Sequence, residues 1–163
     1  ALGVDVAELE ARIAVCYTGE PRNSGTNNWE ITKRHIDGDA EIFEIFDRIR
    51  DTARDVRSQL LAGDWDAVGT TLANAFPNRK RLSPNITTPQ MDQIIETAHA
   101  NGAIAAKVCG AGGGGCIAFY CERGRRGDVE RALSAHDGAR VLDWSVQTNG
   151  LTVTVSDSST AAV

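Results

Sequence analysis

The order of apolar and turn-forming segments in this 163-residue chain predicts an α+β fold, a ferredoxin-like split βαβ layer built on an antiparallel sheet. Three observations carry that expectation. Short β-prone runs and helical patterns follow one another as strand, helices, strand, strand, helix, strand, strand. A long helical insertion follows the first strand. A run of glycines, Gly110-Ala111-Gly112-Gly113-Gly114-Gly115, joins two strands directly, with no helical pattern between them. Length gives one domain over residues 1–163, and a chain of this size buries roughly 68–70% of its unfolded surface, enough for a core.

Taken in order, Ala11–Thr18 reads as the first strand, and Gly19–Asn28 as a loop rich in turn formers. A helix then starts near Asn27 or Asn28; Asn27 at the N-cap would set Glu30 in a capping box. Gly38 ends it and Asp39 caps the next. That next helix carries Ile42, Ile45, Phe46, Ile49, Ala53, Val56 and Leu60 at three- and four-residue steps, one apolar face, until Gly63. Asp64 caps a third helix with Trp65, Val68, Leu72 and Phe76 inward. Pro77 is expected to break or kink it, because proline lacks the backbone donor and clashes with the turn before it. Arg79-Lys80-Arg81 follow, then Pro84 in a connector. Thr88 as N-cap and Pro89 at the first helical position open a fourth helix with Met91, Ile94, Ile95 and Ala98 inward, closed by Gly102. Ala103–Cys109 and Cys116–Cys121 are strands on either side of the glycine run. A short helix lies near Asp128–Ala135, on Val129, Ala132 and Leu133. Arg140–Gln147 is a strand, Asn149-Gly150 a tight turn, and Leu151, Val153 and Val155 alternate on a last strand before a frayed tail at Ser156–Val163. The helices are expected on one face of the sheet. No internal repeat, low-complexity linker or second domain is legible.

The formal net charge is −5, so the chain as a whole is no partner for nucleic acid, and any phosphate site must be local, built from backbone dipoles or a few cations. No apolar stretch is long enough to cross a membrane, and the first residues lack the pattern of a signal peptide. Cys16, Cys109, Cys116 and Cys121 form no CxxC pair; buried thiols in a reducing cytoplasm are their expected state, and no metal site is expected. His35, His99 and His136 read as surface residues. Trp65 and Trp144 read as core. Trp29, opening a helix beside a loop, is open to either reading.

Glycine is entropically costly to order, yet it lets backbone N–H groups approach a ligand closely. Five glycines in six positions between two strands therefore suggest a loop that holds a phosphate chain or presses against another phosphate-binding loop; a plain hairpin turn is the alternative. Gly110-x-Gly112-x-x-Gly115 satisfies the letters of the dinucleotide fingerprint, but that site needs a helix directly after the glycines and a carboxylate about 20 residues on. Cys116–Cys121 reads as a strand rather than a helix, and no acidic residue ends a second strand at that distance. A P-loop is excluded too, since no Gly-Lys-Ser/Thr closes the run.

Lys107-x-x-Gly110-Ala111-Gly112-Gly113-Gly114-Gly115 resembles the third motif of the GHMP kinases, the superfamily of galactokinase, homoserine kinase, mevalonate kinase and phosphomevalonate kinase. Tyr17-Thr18-Gly19-x-x-Arg22-x-Ser24-Gly25 resembles the segment that opens the C-terminal domain in the sugar-kinase branch. Around Asn28-Trp29-Glu30, with Gly38-Asp39 after it, the sequence looks most like the D-glycero-D-manno-heptose 7-phosphate kinase branch. The resemblance runs from Arg12 to Val155.

The resemblance implies a ferredoxin-like C-terminal domain and an active site in a cleft between two domains. It implies ATP and Mg²⁺ as cofactors, and an N-terminal domain whose Gly-Leu-Gly-Ser-Ser-type loop wraps the ATP phosphates and which supplies the magnesium carboxylate. That loop sequence is not found here. The chain is therefore expected to be the C-terminal half of a sugar or sugar-phosphate kinase, inactive alone, partnered by its own N-terminal kinase domain, with a homodimer through the exposed face left open. By the same resemblance, Gly110–Gly115 would support the ATP loop at the cleft floor. Lys107 would aim at phosphate, or is an exposed strand-end lysine. Arg22 and Ser24 would face the substrate, or are a solvated arginine and a turn serine. Arg79, Lys80 and Arg81 would hold a sugar's phosphate, or form a solvated helix end. No catalytic residue is expected in this chain. The rival reading is a free-standing ferredoxin-like module that binds or senses a small ligand without kinase activity.

Overall fold

Four strands form one antiparallel sheet: β1 (Ile13–Tyr17), β2 (Ala103–Val108), β3 (Cys116–Cys121) and β4 (Arg140–Leu142), in the spatial order β2-β3-β1-β4. The structure is a computed structural model, and it describes residues 3–21 and 24–153; for 24–27 only the backbone is described. The order is that of a split βαβ layer, and the expected α+β class holds. The register sets Ala14 opposite Phe119 and Phe119 opposite Ala106; one residue along, Ile13 pairs with Tyr120 and Tyr120 with Ala105. Successive strand residues point to opposite faces, so these two rows belong to the two sides of the sheet.

Both sides are covered by helices, which corrects the expectation of a single helical face. On the Ala14/Phe119/Ala106 side lie α5 (Pro89–Ala100) and α6 (Arg126–Ser134), with Met91, Ile94, Ala98, Val129 and Leu133 fully buried. On the Ile13/Tyr120/Ala105 side lie α3 (Ala40–Ala62) and α4 (Trp65–Arg81), a helical hairpin whose Val56, Leu60, Val68 and Leu72 pack together there. Gly69 admits this contact: a Cβ on it would come within 3.1 Å of the Tyr120 ring. The Tyr120 hydroxyl donates to the Trp65 carbonyl at 2.8 Å and completes the seam.

The caps follow the sequence. Asp39 accepts from the N–H groups of Glu41 and Ile42, Asp64 from Ala67, and Thr88 from Met91. Each satisfies a donor that the first helical turn leaves orphaned. Gly63 closes α3 in the left-handed conformation at φ 70°.

The structure departs from the sequence reading at five places. A helix, α1 (Val6–Arg12), takes Ala11 and Arg12 from the expected first strand, capped by Asp5. Arg12 is buried there, 2.7 Å from Glu8 and over the Tyr120 ring, so its side chain belongs to the helix-to-sheet joint. The next helix, α2 (Ser24–Ile36), begins at Ser24, which makes Asn27 a helical residue rather than the cap. Proline does not end α4, which continues through Pro77 to Arg81. One backbone donor is lost, but the last turn is held from outside by Arg79 on the Gly110 carbonyl, Lys80 on Asp92 and Arg81 on Glu41. β4 stops at Leu142, because the Trp144 indole turns back to donate to the Ile13 carbonyl. No strand forms over 151–153; Leu151 and Val153 are 92% and 77% exposed, and Val155 lies outside the described residues. Between α4 and α5, Pro84–Ile86 makes one 3-10 turn with Ile86 fully buried.

Candidate functional site

The glycine run connects neighbouring antiparallel strands, and β3 follows it at once. A helix after Gly115 is thereby excluded, and with it the dinucleotide reading. All five glycines have positive φ: 71° at Gly110, 90° at Gly112, 72° at Gly113, 125° at Gly114 and 85° at Gly115. L side chains rarely adopt this conformation.

Two of the glycines are also pressed against other main chain. A Cβ on Gly112 would meet the Ile86 carbonyl oxygen at 2.6 Å, and one on Gly114 the Pro21 carbonyl oxygen at 2.8 Å. The loop is pinned at both flanks. Gly113 donates to the Ile86 carbonyl at 3.1 Å and Gly115 to the Glu20 carbonyl at 2.8 Å. Thr18 donates to the Gly115 carbonyl twice, through its N–H and its hydroxyl, each at 2.9 Å. Arg79 donates to the Gly110 carbonyl at 2.8 Å. The loop is thus a held structure, seated between the end of β1 and the 3-10 turn. Its glycines are required by packing as well as by any ligand.

Two residues outside the glycine run make this seat: Thr18, which lies in the segment that resembles the opening of the sugar-kinase C-terminal domain, and Glu20, which falls on an unspecified position of it. Thr18 is fully buried. Glu20 offers its carbonyl to Gly115 and its carboxylate to the Thr88 hydroxyl, which joins the loop to the cap of α5. The contact of these two residues with the glycine run has no signal in the sequence, because they stand at the end of a strand whose neighbour in space could not be read.

Among the expected site residues, Lys107 is the penultimate residue of β2, exposed. Ala111 is buried. Arg22 lies outside the described residues, and of Ser24 only the backbone is described, as the first residue of α2. The basic run is split by the fold. Lys80 and Arg81 pair with Asp92 and Glu41. Arg79 has no carboxylate partner among the described residues, and burial pulls its pKa down from the ordinary arginine value.

A groove of about 540 Å³ runs along the α3/α4 side of the sheet, lined by Ile13, Val56, Leu72 and Phe76, with Arg79 and Lys107 as its charged members. It reaches the glycine loop only at Gly110. Trp65 and Trp144 are half-buried, whereas Trp29 is 65% exposed on α2.

A four-stranded layer of this order, with a clamped polyglycine hairpin at one end, defines a class of domain that has known members. Residues 56–138, half of the chain, match the family described as GHMP kinases C terminal, and the chain belongs to that family. Over 145 residues it is 26% identical to the D-glycero-alpha-D-manno-heptose 7-phosphate kinase of Campylobacter jejuni, which covers 89% of this chain and 42% of that protein. Two solved structures share the fold. A putative sugar kinase from Campylobacter jejuni superposes with a TM-score of 0.61 at 22% identity, over 90% of this chain and 40% of the other. L. major mevalonate kinase, solved in complex with R-mevalonate, does so with a TM-score of 0.66 at 18% identity, over 76% and 37%. The chain spans less than half the length of these relatives.

Proposed function

We propose that this chain is the C-terminal half of an ATP-dependent kinase that phosphorylates a hydroxyl of a sugar or sugar phosphate, heptose 7-phosphate being the first candidate. The observation that carries the reading is the clamped glycine loop. Main chain stripped of side chains is held there by Thr18, Glu20 and Ile86, as a wall against which a second phosphate-binding loop could close. The N–H groups of Gly112 and Gly114 have no hydrogen-bond partner among the described residues. They are the donors available to the charge that builds on a transferring phosphoryl group. Arg79 fixes the near end of the loop, Lys107 adds a local cation, and Arg22 and Ser24 are proposed to face the acceptor.

Among the described residues no cluster of three or more His, Cys, Asp or Glu could hold a metal ion. The chain matches the C-terminal family and spans less than half of its relatives' length, and on that ground the ligands for Mg²⁺, and the loop that wraps the ATP phosphates, are proposed to come from a preceding domain. Such a domain would cover apolar surface on α2, where Trp29 and Ile36, two turns apart, are 65% and 71% exposed. Among the described residues no helix is long and apolar enough to cross a membrane.

The test is to supply the preceding half as a separate polypeptide, mix it with this chain, and follow ATP consumption across a panel of sugar phosphates. Turnover is expected only in the mixture and for a narrow set of acceptors. Turnover by this chain alone would overturn the assignment, as would a folded, associated pair that turns over nothing. The groove of about 540 Å³ favours the rival, a ligand-binding module, since pockets of this size hold small molecules. Ligand binding in the groove with no turnover in the mixture would select that rival.

A further inference from the structure

Cys109 and Cys116 stand at the two feet of the glycine loop. β2 and β3 pair with Val108 opposite Ile117, so the next residues outward are Cys109 and Cys116, and the Cys109 N–H donates to the Cys116 carbonyl at 2.9 Å. Directly opposite residues on an antiparallel ladder project to the same face, with Cβ atoms about 4.5–5.5 Å apart. Hydrogen-bonded pairs of this kind have Cα atoms about 5.5 Å apart, within the Cα span of a disulfide, and Cβ atoms at or beyond its upper limit of about 4.5 Å, so closing the bond draws the two strand ends together.

Burial separates this pair from the other two thiols. Cys109 and Cys116 are partly exposed and reduced, whereas Cys16 and Cys121 are fully buried. Cys16 and Cys121 also lie on the opposite face of the sheet, in the row of Ile117 and Phe119. Burial pushes the Cys16 thiol up and the Cys121 thiol to about 11. The thiolate is the attacking species, so those two are shielded and slow.

We propose that Cys109 and Cys116 are a redox modification site, a thiol pair that forms a reversible disulfide across the neck of the glycine loop. The oxidant is a low-molecular-weight disulfide. The thiolate of one cysteine attacks it, forms a mixed disulfide and releases one small thiol. The second cysteine then displaces the other small thiol and closes the bridge. The protein loses two hydrogens, and the small disulfide is reduced to two thiols. In a reducing compartment such a bond is transient, as sensing disulfides are. It would fix the spacing of the strand ends from which the loop springs, and the inference stands independently of the kinase reading.

The experiment incubates this chain in a glutathione redox buffer of increasing oxidised fraction, blocks remaining thiols by alkylation, and maps peptides without reduction. The expected result is a single intrachain link between Cys109 and Cys116, loss of two of the four titratable thiols, and full reversal by excess reduced glutathione. Cys109→Ser and Cys116→Ser should each carry one glutathione and no link. Four thiols still alkylated at full oxidation would overturn the proposal. So would stable glutathione on both cysteines of the unaltered chain, or a link to Cys16 or Cys121.

Discussion

Gly112 shows how a single missing side chain shapes the site. Its φ of 90° is costly for any L residue, and a Cβ there would lie 2.6 Å from the Ile86 carbonyl oxygen. Backbone on both sides leaves nothing flexible to give way. Gly112→Ala should therefore cost about 2–5 kcal/mol, the sum of left-handed strain and overpacking. Gly124 also has positive φ, 77°, but nothing within 4 Å, so Gly124→Ala should cost only about 1–2 kcal/mol. Denaturant midpoints of the two variants would separate the terms; equal losses would mean that the contact with Ile86 carries no weight. Cys121 makes a second prediction at this scale. Burial raises its thiol from 9.0 to about 11, so the unfolded chain gives up this proton first. The stability it contributes is complete below pH 9 and is lost as pH rises toward 11, about 2–3 kcal/mol in all. Burial shifts Cys16 and Tyr120 in the same direction and adds to the fall. Cys121→Ala should be less stable at neutral pH and show a shallower decline across that window, and an unchanged slope would count against the buried-thiol account.

Caps and apolar stripes were legible because they are local. Asp39, Asp64 and Thr88 each cap the helix that the sequence places after them, and the inward positions of α5 are buried as its periodicity requires. The misreadings came where distant contacts decide. Pro77 reads as a breaker, yet α4 outlasts it because the Gly110 carbonyl, Asp92 and Glu41 hold the side chains of Arg79, Lys80 and Arg81. Arg12 reads as a strand residue, yet Glu8 and the Tyr120 ring draw it into α1. Thr88 is the element-scale residue that joins fold to site, since its hydroxyl both caps α5 and donates to Glu20 beside the glycine loop. Thr88→Ala should cost about 1–2 kcal/mol in stability. It should also speed amide hydrogen exchange at Gly115, whose N–H rests on the Glu20 carbonyl. Loss of stability with unaltered exchange at Gly115 would show that the cap and the loop are uncoupled.

At the scale of the molecule, the sheet is covered on both faces, and the loop emerges at one end between β1, the 3-10 turn and α4. The motif itself was legible from the glycines and the strands that flank them. Its seat was not, because Thr18, Glu20, Ile86 and Arg79 are far apart in sequence and meet only through the fold. We propose that this seat holds bare main chain in place for phosphoryl transfer in a two-part kinase. The most direct measurement compares kcat for the two reassembled halves carrying Gly114→Ala or Gly124→Ala, with the folding of each verified by its melting transition. Gly114 lies against the Pro21 carbonyl, and Gly124 touches nothing. Gly114→Ala should lose on the order of 100-fold, the scale of a misplaced positioning group, and Gly124→Ala should turn over almost unaltered. Equal turnover by two folded variants would contradict the proposal.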